Sequence, residues 1–199
     1  MLDDCLNYLC ERMNQSLRPA FDLAEELVVV SPPSGTETTG QVTTENRILV
    51  FLSNLERDPF SKPGLVPGGQ TRQRVALTSK PLYLTLSVVI AANFSGSNAS
   101  GANYSDGLKV LSHLLAFFHR NPVFHRQNAP DLPEDIEQIA MEMESIPGNE
   151  LSHMWSMLGS KYLPSCVYRV RVAIPDSETI LTQTGRLGTT DPSIYRKGE

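Results

Sequence analysis

Four histidines and three cysteines carry the widest chemical reach in this 199-residue chain. His113, His119 and His125 recur every six residues, which puts them on no common helical face, and His153 stands apart. A metal site needs three or four such ligands converging, so this spacing predicts satisfied or solvated histidines and no metal. Cys10 has no identifiable base beside it that would make a thiolate nucleophile. With Cys5 and Cys166 it makes an odd count without framework spacing, the pattern of reduced thiols in a cytosolic chain. The adjacent carboxylates Asp3-Asp4 and Glu25-Glu26 read as solvated faces or helix-dipole partners. Gly159-Ser160-Lys161 ends like a phosphate loop but lacks the upstream glycine and the Gly-Lys order. No GxSxG, HExxH, CxxC or GxxxxGK[ST] occurs. The expectation is a protein that is not an enzyme and holds no cofactor. A hidden hydrolase would have to use Ser160, His153 or Cys10.

The chemistry that remains is recognition. Arg72 and Arg74 make a long loop locally basic in an acidic protein. They read either as a solvated loop or as a contact to an acidic neighbour. Glu142 and Glu144 alternate with apolar residues on one strand, and Arg169 and Arg171 do so on another. Two arginines on one strand face lie about 7 Å apart and need water or an acidic partner. Pairing across the sheet with Glu142 and Glu144 would contribute about 0.2–1 kcal/mol each, enough to favour a register. Trp155 is the sole tryptophan. It reads as a core anchor of its helix or as an interface anchor. These seven residues are the interface candidates.

The elements that position them follow from periodicity. Leu151, Met154, Trp155 and Leu158 recur at i, i+3, i+4 and i+7, an apolar helical stripe that Gly159 and Pro164 terminate. From Val167 the period becomes two, with Tyr168, Val170, Val172 and Ile174 on one side and the arginines on the other. A first helix spans 2–17, with Leu2, Leu6, Leu9, Met13 and Leu17 buried, and Pro19 ends it. Leu27–Val30 reads as an edge strand, and Arg47–Leu55, apolar on both faces, as a central one. The connection 58–80 is long for a compact domain, so it is an extended hairpin or a loop ordered by a partner. Leu82–Phe94 alternates cleanly. A helix follows at about 107–120, capped by Ser105 or Asp106, with Phe124 anchoring the next loop. Ile136–Ile146 is a strand with Ile139, Met141 and Met143 inward. After Asp176 a weak strand near 179–184 precedes a polar tail. The fold class is α/β of the α+β type: a mixed, mostly antiparallel sheet with two or three helices mainly on one face. The domain spans 1–175, and 176–199 is an extension read as an interaction arm.

The totals agree. Apolar residues make up 40% and charged residues 20%, so a core is affordable and global disorder is not expected. A net charge of −5 argues against non-specific nucleic-acid binding. The amphipathic, early-acidic N-terminus is not that of a secretory signal, and no apolar run approaches the length of a membrane span. The sequons at Asn93, Asn98 and Asn103 therefore read as a polar loop.

The run NELSHMWSMLGSKYLPSCVYRVRV is the most specific stretch. With MLDDCLNYLCERMN, RILVFLSNLERD, PLYLTLSVVIAANFS, DGLKVLSHLLAFFHRNPVF and DLPEDIEQIAMEMESI, in order over residues 1–175, it resembles the cap, or tail-terminator, family of contractile injection systems. These are antifeeding-prophage-like, phage-tail-derived particles. The loop 59–80 and the chain after Asp176 carry no such likeness. The resemblance implies a small α/β domain assembling as a hexameric ring on the end of tube and sheath distal to the baseplate. Such a ring stops polymerisation, fixes length with a tape-measure protein and holds the sheath end. Implied partners are further copies of the chain, sheath and inner-tube subunits and the tape-measure protein, with no nucleic acid and no membrane insertion. The implied location is the cytoplasm during assembly and then the distal particle end. No catalysis goes with the family. The rival expectation is an assembly adaptor or chaperone that is absent from the finished particle.

Overall fold

The computed structural model describes residues 1–22, 24–33, 44–58, 82–94 and 103–175 with their side chains, and the backbone of 65–71, 74–79 and 180–185. Two compact units result: Met1–Ser61 with Leu82–Pro175, and Lys62–Pro81 with Asp176–Glu199.

The larger unit is built on a six-stranded sheet. In chain order its strands are β1 (Val28–Val30), β2 (Arg47–Arg57), β5 (Leu82–Asn93), β6 (Val123–His125), β7 (Gln138–Glu144) and β8 (Ser165–Ile174). Their spatial order is β1-β2-β5-β8-β7-β6. Only β1 runs parallel to its neighbour; every other pairing is antiparallel. The sheet is thus mixed and mostly antiparallel, and β1 is the expected edge strand. β2 lies between β1 and β5, and it is apolar on both faces because both are covered there. Ile48 and Val50 enter one core, Leu49 and Phe51 another.

Helix α1 (Leu2–Phe21) and helix α2 (Tyr104–Arg120) supply the main core. Leu9, Met13 and Leu17 of α1 and Leu114 and Phe118 of α2 are almost fully buried against Leu86, Val88, Ile90, Val170 and Val172. Each face of the sheet follows from the two-residue period, which sends alternate side chains to opposite sides. Helix α3 (Gly148–Met157) therefore lies on the other face, where Trp155 packs with Leu49, Phe51, Val89, Ala91 and Val167. The helices divide two and one between the faces.

Three local expectations change. Pro19 does not end α1. It lies in the last turn, where its fixed φ suits the helix and only one backbone bond is lost. The helix stops at Asp22, in the left-handed conformation (φ 49°, ψ 48°), with its N–H on the Arg18 carbonyl. The cap of α2 is Asn103, neither Ser105 nor Asp106. Asn103 accepts from the Asp106 N–H at 3.2 Å, and the Asp106 carboxylate accepts from the Asn103 N–H at 3.2 Å. Met143 shares its strand face with Ile139 and Met141 but is 57% exposed, because the pairing with β6 ends at Ala140 and leaves the end of β7 without a neighbour on that side.

The smaller unit is a three-stranded antiparallel sheet of order β3-β4-β9. β3 (Leu65–Thr71) and β4 (Arg74–Ser79) form a hairpin, and β9 (Ile180–Gly185) pairs with β4. The long connection is thus the extended hairpin, and the weak strand after Asp176 is present. None of the described helices is long and apolar enough to cross a membrane.

Candidate functional site

The face under α3 is only half covered. Toward the other end of the strands the same face is polar: Asn54 and Glu56 on β2, Thr85 and Ser87 on β5, Arg169 and Arg171 on β8, Glu142 and Glu144 on β7. Register sets them side by side, with Asn54 opposite Ser87, Glu56 opposite Thr85, Ser87 opposite Arg169, Thr85 opposite Arg171 and Glu142 opposite Arg169. A register shift between Leu52 and Asn54 turns Asn54 and Glu56 onto this side and Leu55 onto the other.

The four charges form a ladder. Each arginine reaches diagonally rather than straight across. Arg169, opposite Glu142, bonds the carboxylate of Glu144, and Arg171, opposite Ala140, lies 3.6 Å from Glu142. The diagonal suits a long guanidinium arm, because neighbouring strands place diagonal residues about 7–8 Å apart. Glu144 is the most covered of the four at 27% exposure, and Glu142 the least at 64%. The charges satisfy one another inside one chain, so the ladder offers a neighbour a neutralised, hydrogen-bonding surface.

Of the remaining candidates, Arg72 lies outside the described residues. Arg74 opens β4, its backbone opposite Thr71 and Gly185. Trp155 is 4% exposed and packs edge-on against Phe51 at 6.3 Å and Tyr162 at 5.8 Å between ring centres. Its place is the core. The structure brings together Glu142, Glu144, Arg169 and Arg171. The polar residues beside them, Asn54, Glu56, Thr85 and Ser87, escaped the sequence reading. Their alternation was visible, but that no helix covers them is a property of the assembled sheet.

Cys5, Cys10 and Cys166 are buried thiols, each pushed up to about 12 chiefly by burial, so none is a ready nucleophile. Burial likewise raises the Tyr168 phenol. His113 makes a 3.2 Å bond to the Ser16 carbonyl and stacks edge-on with Phe21 at 5.7 Å. Among the described residues no group of three or more His, Cys, Asp or Glu could hold a metal ion.

Fold and surface together define an α+β domain that presents a polar, charge-paired sheet face. The family model of the Pvc16 N-terminal domain matches residues 6–188, and the chain belongs to that family. Two solved structures are similar to it. One is described as the sheath/tube terminator, in the extended state, of the extracellular contractile injection system PVC. It is 16% identical with a TM-score of 0.52, covering 94% of this chain and 58% of that one. The other is described as the anti-feeding prophage cap, an AFP tube terminating cap. It is 19% identical with a TM-score of 0.48 and the same coverage. The chain thus spans 58% of the length of either structure. No curated protein matches the chain.

Proposed function

We propose that this protein is a structural cap of a contractile injection system, which ends polymerisation of tube and sheath at the baseplate-distal end and anchors the sheath there. Family membership over residues 6–188 carries the reading, and a fold shared with a sheath/tube terminator supports it. The uncovered polar sheet face is in keeping with a domain that works by contact. The protein is not an enzyme in this reading, and it takes no cofactor.

The finer parts of the proposal are a six-fold ring of this chain, contacts to sheath and inner-tube subunits, a tape-measure protein as further partner, and assembly in the cytoplasm. Ring contacts join unlike patches of successive subunits, so each protomer needs two complementary surfaces. Arg72 and Arg74 are proposed for one and the face around Glu142, Glu144, Arg169 and Arg171 for the other. Trp155 contributes by holding α3 on the same sheet face, beside the ladder. The segment 176–199 is proposed as an interaction arm. An edge strand of the β3-β4-β9 sheet is its means of pairing with a partner strand.

Particle lengths measured by electron microscopy, with and without this chain, test the reading. Loss should give long or ragged tubes, or particles without a plug at one end. Unchanged lengths and ends would remove the cap reading. Labelled protein found in assembling particles but not at a finished end would install the assembly adaptor in its place.

A further inference from the structure

The six-stranded sheet has two edges, β1 and β6, and each meets one asparagine. On β1 the Leu27 carbonyl accepts from Ile48 at 2.9 Å and the Ser31 N–H donates to Val50 at 3.1 Å, both toward β2. Val28, out of phase with these, turns its amide groups away from the sheet. There Asn14 of α1 receives them. Its Oδ1 accepts from the Val28 N–H at 2.9 Å and the Leu27 N–H at 3.0 Å, and its Nδ2 donates to the Val28 carbonyl at 3.0 Å. Asn14, 5% exposed, is the only buried polar residue among those described.

The opposite edge repeats the arrangement with unrelated elements. The Pro122 carbonyl accepts from the Met141 N–H at 2.7 Å, so Val123 and His125 turn their amide groups outward. Asn128 donates its Nδ2 to the Val123 carbonyl at 2.8 Å and accepts from the His125 N–H at 2.8 Å through Oδ1. The Asn128 and Ala129 N–H groups take the His125 carbonyl at 3.0 and 2.8 Å. A groove of about 370 Å³ runs along β1, with Asn14, Val28 and Val30 in its lining. Another of about 320 Å³ runs along β6, with Val123, Phe124 and Asn128. A partner strand would lie in these grooves, where the Asn14 carboxamide already holds the outward N–H and carbonyl of Val28, and the Asn128 carboxamide the Val123 carbonyl and the His125 N–H.

We infer that Asn14 and Asn128 are edge plugs: side-chain amides standing in for a further strand, which close the six-stranded sheet to strand addition by a second copy of this chain. Exposed edges template such pairing, and the β-branched Val28-Val29-Val30 run is well suited to it. The plugs let copies crowd together without running on edge to edge. This inference stands apart from the cap reading and is tested without particles.

The experiment compares the wild-type chain with Asn14→Leu, which keeps the volume but removes the amide, with Asn128→Ala, and with both together. Sedimentation and light scattering report assembly, and amide hydrogen exchange reports the Val28 and His125 N–H groups. Each single variant opens one edge and should at most double the wild-type assembly. The double variant opens both and should grow into open-ended polymers. The Val28 or His125 amide of the dilute variant should exchange about tenfold faster, the factor for one lost hydrogen bond. Wild-type size in all three variants, or association of variants whose Val28 and His125 amides exchange at the wild-type rate in dilute, unassociated protein, overturns the inference. Asn128 sits in an exposed loop, so its variant carries the test should Asn14→Leu fail to fold.

Discussion

Gly107 opens the buried face of α2 because a side chain there has no room. A Cβ at this position would lie 2.8 Å from Phe94 Cδ2, 3.0 Å from Cγ and 3.1 Å from Cβ. The last two atoms cannot swing away as a ring edge can. Gly107→Ala gains helix propensity of about 1 kcal/mol but forces an overpacked contact costing about 1–3 kcal/mol. The expected net is a loss, seen as a Tm lower by about 2–4 °C per kcal/mol; a variant that melts at or above wild type would show that Phe94 yields freely. The thiols make a second case at this scale. Cys5, Cys10 and Cys166 ionise near 12 when folded, against an ordinary value of 9.0. The unfolded chain sheds these protons first, so their contribution is intact below pH 9 and declines as pH rises toward 12. Denaturant midpoints taken across that window should fall more steeply for wild type than for a Cys5→Ala, Cys10→Ala, Cys166→Ala chain. Equal slopes would refute the assignment.

Strand pairing decides what the charges can do. Glu144–Arg169 and Glu142–Arg171 join β7 to β8 diagonally, and the first pair is the better covered. A double-mutant cycle to glutamine should return a coupling of about 0.2–1 kcal/mol for it, less for the exposed second pair, and less for both at molar salt. Zero coupling in both cycles would mean that the ladder plays no part in the register. The acidic and basic pattern of the two strands was legible in the sequence, since a period of two needs no tertiary knowledge. The diagonal was not, because it depends on which residue stands opposite which. α1 shows the same division: its stripe of Leu6, Leu9, Met13 and Leu17 was readable, while its passage through Pro19 to an αL Asp22 was not. A proline in a last turn sacrifices one bond, and Phe21 after it still packs against the core.

Across the whole molecule, the two units share the chain unevenly. The smaller draws on two segments far apart in sequence, Lys62–Pro81 and Asp176–Glu199. Removing 178–199 takes away β9 and leaves the six-stranded sheet with all its strands. The truncated chain should therefore keep the melting transition of the larger unit, read by the Trp155 fluorescence of its second core. Under the cap proposal it should lose ring stability or docking. Truncated protein that still caps particles would refute the arm, without touching the fold or the family.

The sequence by itself determined the type and order of most elements, the α+β class and the family, because those rest on periodicity, turn residues and a run of motifs read locally; it missed β6 and left the 58–80 hairpin as one of two alternatives. It also named the four charged residues of the ladder. Only the tertiary structure decided that α3 covers the face opposite α1 and α2, that no described helix covers the polar half of that face, and that β9 joins the hairpin of residues 65–79. It alone revealed Asn14 and Asn128 as closures of the sheet edges. One is a polar residue on the buried face of an amphipathic helix and the other a loop asparagine like many others. What each does depends on a strand edge brought to it from elsewhere in the chain. Burial, pairing and closure are relations between distant segments, which no local pattern encodes.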